Sequence, residues 1–375
     1  MVKGLYKNNF KISMLACLFL MMLAISMPES QAKEPKIVNM YNWSDYIAPD
    51  SLAAFEKETG IKVRYDVYDS NELLESKLMT GKSGYDIAVP TSSPFLIRQI
   101  KAGIYEPLDK AKIPNFNQLD PNIMARLAAH DPGNRYAVPW MWGSVGIGYN
   151  KTKIQQIAPD LTMDRLAVLF DPAQIARLAS CGVMMLNSAS DIIPAVLNYL
   201  GLDPNSHSKE DLAKAEAVLM AIRPYVKEFH SSKYIDALAG GEICVVLGYS
   251  GDIIQAGNRA KEVKNGVDIH YLLPKEGAQM WFDTMGILAD APNKESAYQL
   301  INYLLRQDVM AHNSNKIGYA NAHKTAIKMI NKDLINNKNI YPDPEVLAKM
   351  YTVLPADSRY DRLRNRSWTR VLHGR

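Results

Sequence analysis

Short apolar runs and amphipathic stretches take turns along this chain, the pattern of strands alternating with helices. Lys36–Tyr41 reads as a strand, and Pro49–Glu58 as the helix after it, stopped at Thr59-Gly60. Lys62–Asp69 alternates like a second strand, and Ser70-Asn71-Glu72 supplies capping chemistry for a helix over Leu73–Met79. Tyr85–Pro90 predicts a short buried strand running into Thr91-Ser92-Ser93, with a helix over Pro94–Ala102. Units of this kind imply a mainly parallel sheet covered on both faces. Around Val138–Asn150 the texture changes to an extended aromatic run carrying Gly143, Gly146 and Gly148, which reads as a crossing to a second lobe. The alternation then resumes, with strands over Val183–Asn187, Ile243–Leu247 and Val267–Leu273. Helices are expected over Ala173–Ala179, Asp191–Leu200, Lys209–Ile222 and Lys233–Leu238, and another from Tyr249-Ser250-Gly251-Asp252 to about Glu262. Trp281–Ala289 reads as a return crossing, and helices near Glu295–Arg306, Thr325–Ile330 and Pro344–Tyr351 close the chain.

The N-terminus stands apart from this alternation. Lys3, Lys7 and Lys11 precede an apolar run from Ile12 to Met27, and Ser30-Gln31-Ala32 offers a small-x-small cleavage site. These are the parts of a signal peptide, so residues 1–32 are expected to be removed and the mature chain exported. The apolar run is shorter than the roughly 20 residues that span a bilayer. Cys17 lies well inside it rather than at its end, which argues against a lipid-modified cysteine. Cys181 and Cys244 remain, an even pair in an exported chain, and are expected to form a disulfide worth about 2–4 kcal/mol.

Removing three lysines and one glutamate from 43 basic and 39 acidic residues leaves 40 and 38, a net charge of +2. That balance points to neither nucleic acid nor a strongly charged partner. The mature length exceeds one typical core and predicts two lobes.

Chemistry is concentrated at the strand ends. Ligands of open α/β sheets bind beyond the carboxyl ends of strands, and Asp45, Asp191, Asp252 and Asp283 all fall there or at the following helix starts. Each has an aromatic or hydroxyl neighbour: Trp43 and Tyr46, Ser188 and Ser190, Tyr249, and Trp281. Taken singly, each Asp is better read as a helix cap or surface charge. Together, carboxylates set among ring faces suit an organic cation. No His-Glu-x-x-His or cysteine cluster marks a metal site, and no phosphate loop is present. Gly248-Tyr249-Ser250-Gly251-Asp252 misses the spacing of a nucleophile elbow, so no catalytic residues and no cofactor are expected.

Several segments carry a specific likeness: Tyr41-Asn-Trp-Ser-Asp-Tyr-Ile-Ala-Pro-Asp50, Phe55-Glu-Lys-Glu-Thr-Gly-Ile-Lys-Val63, Cys181-Gly-Val183, Val196-Leu-Asn-Tyr-Leu-Gly201, Asn258-Arg-Ala-Lys261 and Pro274-Lys-Glu-Gly277. Across essentially the whole mature chain the sequence resembles the periplasmic polyamine-binding proteins of bacterial ABC importers, closest to the putrescine-binding type. The resemblance implies a type II two-lobed periplasmic-binding-protein fold, each lobe a mainly parallel α/β sheet flanked by helices, closing by a hinge motion. Lobe 1 is expected over 33–139 plus 280–330, and lobe 2 over 140–279 plus 331–375. The implied partners are a polyamine and an inner-membrane ABC permease, and one closing cleft per chain suits a monomer. A polyamine sensor for a signalling receptor and a secreted amine-processing enzyme are the alternatives.

The resemblance also implies a ligand set: Trp43, Ser44, Asp45 and Tyr46, then Thr91, Asp191, Tyr249, Asp252, Trp281, Asp283 and Tyr319. In such a site aromatics flank the tetramethylene chain and carboxylates take the ammonium ends. Three positions depart from the putrescine-binding pattern. Asp191 stands where glutamate is expected, Tyr249 replaces a tryptophan, and Trp281 replaces a phenylalanine, as in spermidine-preferring members. Putrescine and spermidine therefore both stay open as the preferred ligand.

Overall fold

The computed structural model describes residues 36–375, and the expected signal segment with Cys17 lies outside the described residues. Strand β1 (Ile37–Trp43) runs parallel to both β2 (Lys62–Tyr68) and β3 (Ile87–Ala88). Helix α1 (Pro49–Thr59) follows β1 and ends at Gly60, whose φ of 71° is the left-handed cap that glycine adopts without a Cβ penalty. Helix α2 (Asn71–Met79) starts where the Ser70 hydroxyl accepts the Leu73 N–H at 3.2 Å. Helix α3 (Pro121–Leu127) precedes the long strand β4 (Ala137–Asn150).

β4 joins the sheet's two halves. Its first part lies antiparallel to β9 (Met280–Ile287), which pairs in turn with β3. Its second part lies antiparallel to β7 (Val245–Tyr249) and β8 (Ile269–Leu272). Beyond β7 come β5 (Val183–Met185) and β6 (Glu228–Phe229), both parallel. The order is β2-β1-β3-β9-β4-β7-β5-β6, with β10 (Ala320–Asn321) also on β4. The glycines that marked this crossing are demanded by close approach. A Cβ at Gly143, Gly146 or Gly148 would meet Trp281, Tyr271 or Ile253 within 2.7, 2.5 and 2.6 Å respectively.

Helices α4 (Ala189–Tyr199), α5 (Lys209–Ile222) and α6 (Ser250–Val263) cover the β5–β7 half, and α7 (Lys294–Leu304) packs on β1 and β9. The Cys181–Cys244 disulfide is formed, with a Cα–Cα distance of 5.5 Å. Two long helices, besides several short ones, escape the hydrophobic pattern. In α8 (Gln307–Ile317) the buried face includes Asn313 and Ser314, and Asn313 is used up by the Ala48 N–H, Ser51 and Val309. In α9 (Ser358–His373), which packs on α5, the buried stripe contains Arg364 and Ser367. Among the described residues no helix is long and apolar enough to cross a membrane.

Candidate functional site

The carboxyl ends of β1, β3 and β7 and the middle of β9 converge on one cavity. Its wall includes Trp43, Ser44, Tyr46, Thr91, Asp191, Tyr249, Asp252, Trp281, Asp283 and Tyr319. Strand alternation decides which side chains of β9 take part: Trp281 and Asp283 face the cavity. Gly251, in the first turn of α6, makes room for Tyr319, whose ring lies 2.3 Å from where a Cβ would stand.

The rings form a continuous wall. Tyr46 meets Tyr319 edge-on at 5.0 Å between centroids, Tyr319 lies 5.4 Å from Trp281, and Tyr249 meets Trp281 edge-on at 5.8 Å. Trp43 closes the other side, 4.8 Å from Tyr68 and 6.2 Å from Tyr249, with its indole N–H donated to the Val89 carbonyl.

The carboxylates are buried and held only by neutral donors. Asp252 is 6% exposed and accepts the Tyr234 and Tyr319 hydroxyls, both at 2.6 Å. Asp283, 3% exposed, accepts the Thr91 hydroxyl at 2.6 Å, and the Asn71 amide donates to the Thr91 hydroxyl oxygen at 2.8 Å. The Tyr46 hydroxyl lies beside Asp283 without an ordinary hydrogen bond. Asp191 accepts from Tyr249 at 2.8 Å and from the Gln279 amide at 2.7 Å. Burial pushes both Asp252 and Asp283 up to about 7 against these hydrogen bonds, and raises Asp191 as well. Three polar atoms of the wall have no partner: the Tyr46 hydroxyl, the Trp281 indole N–H and the Gln279 carbonyl oxygen. Among the described residues no lysine or arginine lines the cavity.

Asp45 is the expected site residue that the fold does not bring to this wall. It sits at φ 53°, a left-handed turn that Asp tolerates, and its carboxylate takes the Arg259 guanidinium at 2.6 Å. Arg259 belongs to α6, on the other half of the sheet, and the Gln255 amide also donates to the Asp45 carbonyl. This makes Asp45 a rim residue clasping the opposite side. Its side chain is 43% exposed, where ion pairs contribute little and are screened by salt. We expect Asp45→Asn to weaken ligand binding by less than about tenfold, an effect that fades in molar salt. A loss as large as that of Asp252→Asn in a titration would place Asp45 on the ligand itself.

Other wall residues were not among the expected ligands. Asp69 stands at the carboxyl end of β2 and accepts the Ser44 hydroxyl at 2.8 Å, so the strand-end rule reaches it. Tyr68, the last residue of β2, falls under the same rule, whereas Gln279, just ahead of β9, carried no such mark. Tyr234 reaches the site through Asp252, and also accepts the Tyr249 N–H at 3.1 Å. Among the described residues no cluster of His, Cys, Asp and Glu could hold a metal ion.

Comparison with known proteins follows the same lines. The family model of bacterial extracellular solute-binding proteins matches residues 50–341. The putrescine-binding periplasmic protein PotF of Escherichia coli is 49% identical over 92% of this chain and 93% of its own. The spermidine/putrescine-binding periplasmic protein of Salmonella typhimurium is 33% identical over 87% and 89%. Among solved structures, the spermidine/putrescine ABC transporter substrate-binding protein PotD of Streptococcus pneumoniae superposes with a TM-score of 0.71. It is 26% identical and covers 90% of this chain and 99% of its own.

Proposed function

The chain belongs to the bacterial extracellular solute-binding proteins, and from that premise we propose that it captures a polyamine, putrescine or spermidine, and delivers it to an ABC permease. The observation that carries this reading is the composition of one cavity wall. Asp69, Asp191, Asp252 and Asp283 meet there among Trp43, Tyr46, Tyr249, Trp281 and Tyr319, with no basic side chain among the described residues of the wall. A buried cluster of carboxylates lacking counter-ions is costly. A dication removes that cost, and ring faces attract its ammonium groups and cover its methylenes.

The role of each group follows from its bonds. Asp252 and Asp283 each keep lone pairs free after accepting their hydroxyls, so each can take an ammonium group. Asp191 with the unpartnered Gln279 oxygen forms a further polar end. Ligand length is decided there, since aspartate is shorter than glutamate and leaves room for a third amine or a water. The reaction is binding: the ligand leaves unchanged, and the carboxyl groups ionise against its ammonium ends instead of supplying a nucleophile.

We read the two halves of the sheet joined by β4 as the two lobes of a type II periplasmic-binding-protein fold. We assign residues 33–139 with 280–330 to one and 140–279 with 331–375 to the other. Residues 1–32 act as an export signal, so the mature protein works in the periplasm, and one closing cleft per chain suits a monomer.

A ligand that binds only the folded chain raises its melting temperature by mass action. Putrescine or spermidine at about 100 times its dissociation constant should stabilise the protein by about 2.7 kcal/mol, while lysine and glutamate leave the melt unchanged. A melt indifferent to every polyamine overturns the proposal.

A further inference from the structure

Asp191 and Asp252 stand at opposite ends of one row of rings. Trp281 packs against Tyr249 at 5.8 Å and Tyr319 at 5.4 Å between centroids, and the two tyrosine hydroxyls donate to Asp191 and Asp252 respectively. Asp283 feels both charges, which add to the effect of burial on its carboxyl. Two ammonium groups matched to Asp252 and Asp283 thus leave the Asp191 end unused.

A further acid stands behind that end. Glu72, in the first turn of α2, reaches Ser190 in the first turn of α4 and accepts its hydroxyl at 3.1 Å. Asn71 beside it and Ser190 both line the cavity, whereas Glu72 faces an outer pocket with Arg98, Asp361 and Arg364. Its second oxygen is buried without a partner. Burial raises its carboxyl, as does the nearby Asp191, while its own backbone N–H, the Arg364 guanidinium and the Ser190 hydroxyl hold it down. Arg364 and Arg98 do not cancel this charge, because they are themselves paired with Asp361 and Glu75, at 2.7 and 2.8 Å. Acid therefore stays in excess around Asp191.

Glu72 also decides how Ser190 meets the cavity. An ionised carboxylate only accepts, so Ser190 spends its single proton on Glu72. The Ser188 hydroxyl, 3.0 Å away, is then the donor to one Ser190 lone pair, and the other stays free. The Gln279 amide likewise turns an N–H to Asp191, with its carbonyl oxygen unpartnered on the same wall. Ser190, Asp191 and Gln279 thus offer acceptors, which suit an ammonium group.

We propose that Glu72 is a positioning residue that acts through Ser190 to make the Asp191 end select a third ammonium, so that the chain prefers a triamine such as spermidine over a diamine. A diamine spans Asp252 and Asp283 and leaves this end to water. A triamine sets its third ammonium against Asp191 and the free Ser190 lone pair, with the Glu72 charge one hydrogen bond behind. This role rests on the polyamine reading of the cavity.

The test is calorimetric titration of the mature chain with putrescine, spermidine and N-butylputrescine, which carries a methyl where spermidine carries its third ammonium. The parent should bind spermidine at least about tenfold more tightly than N-butylputrescine, the scale of a charge matched in a buried site. Glu72→Gln keeps the volume and an acceptor for Ser190 but removes the charge. It should weaken spermidine by about tenfold and leave putrescine and N-butylputrescine within about twofold. Ser190→Ala keeps Glu72 and removes the hydroxyl between them, and should cost spermidine about fivefold. A merely structural role for Glu72 would weaken all three amines together. Equal losses for all three, spermidine affinity unchanged in both variants, or a parent that does not favour spermidine over N-butylputrescine would overturn the role of Glu72. No heat from any amine in the parent would instead overturn the polyamine reading on which it rests.

Discussion

Asp283→Asn should lower polyamine affinity by roughly 30-fold to several thousandfold, while Glu295→Ala should leave it within about twofold. Asp283 is almost wholly buried and faces the cavity, with Thr91 its hydrogen-bond partner. Losing one member of a buried, hydrogen-bonded charge pair costs about 2–5 kcal/mol, because the partner charge is left in a medium that cannot solvate it. Glu295 is an exposed carboxylate on α7 paired with Lys112, where the same deletion meets water. Misfolding is separated from loss of contact by the ligand-free protein. Near pH 7 the Asp283 carboxyl is already half protonated, so asparagine resembles a state the native chain populates. The variant should melt no lower than the parent without ligand and fail to gain with it. Equal losses in Asp283→Asn and Glu295→Ala would contradict the assignment of the cavity.

The second large effect is a pH dependence, and its sign comes from the direction of the shifts. Asp252 and Asp283 stand at about 7, raised from the usual 3.8 mainly by burial. Between pH 4 and pH 7 the folded, ligand-free chain therefore holds protons that the unfolded chain has released. That contribution to stability is complete below pH 4 and is lost as pH rises through 7. Polyamine reverses the preference, because an ammonium group favours the ionised carboxylate. Affinity should rise from pH 6 to pH 8 by about tenfold for each carboxylate that must ionise. Binding at pH 7 should release on the order of one proton, seen as a binding heat that varies with the ionisation enthalpy of the buffer. A heat independent of buffer, with affinity flat from pH 6 to pH 8, would show that the two carboxyls are ionised before ligand arrives.

Much of this architecture is legible in the chain because strand–helix alternation and aromatic–acid pairs are local signals. Trp43, Tyr46 and Asp252 each stand beside the carboxyl end of a strand, where α/β sheets place ligands, whereas Trp281 and Asp283 lie inside β9 and not at the strand end expected for Asp283. What could not be read depends on partners far away in sequence. Nothing near Tyr234 marks it as the hydroxyl that holds Asp252, and Asp45 looks like a ligand until the fold brings Arg259 to it. Helices α8 and α9 were hidden because Asn313, Ser314, Arg364 and Ser367 occupy buried positions that a hydrophobic pattern counts as surface. Arg364 is accommodated there by Asp361 one turn earlier, a pairing that periodicity in apolar residues does not register.

The central claim is that the acidic, aromatic cavity takes a polyamine dication. Calorimetric titration of the mature protein with putrescine, spermidine and an amino acid control tests it most directly. The account predicts one-site binding heat with at least one of the two amines and none with the amino acid. No heat with either amine would contradict it.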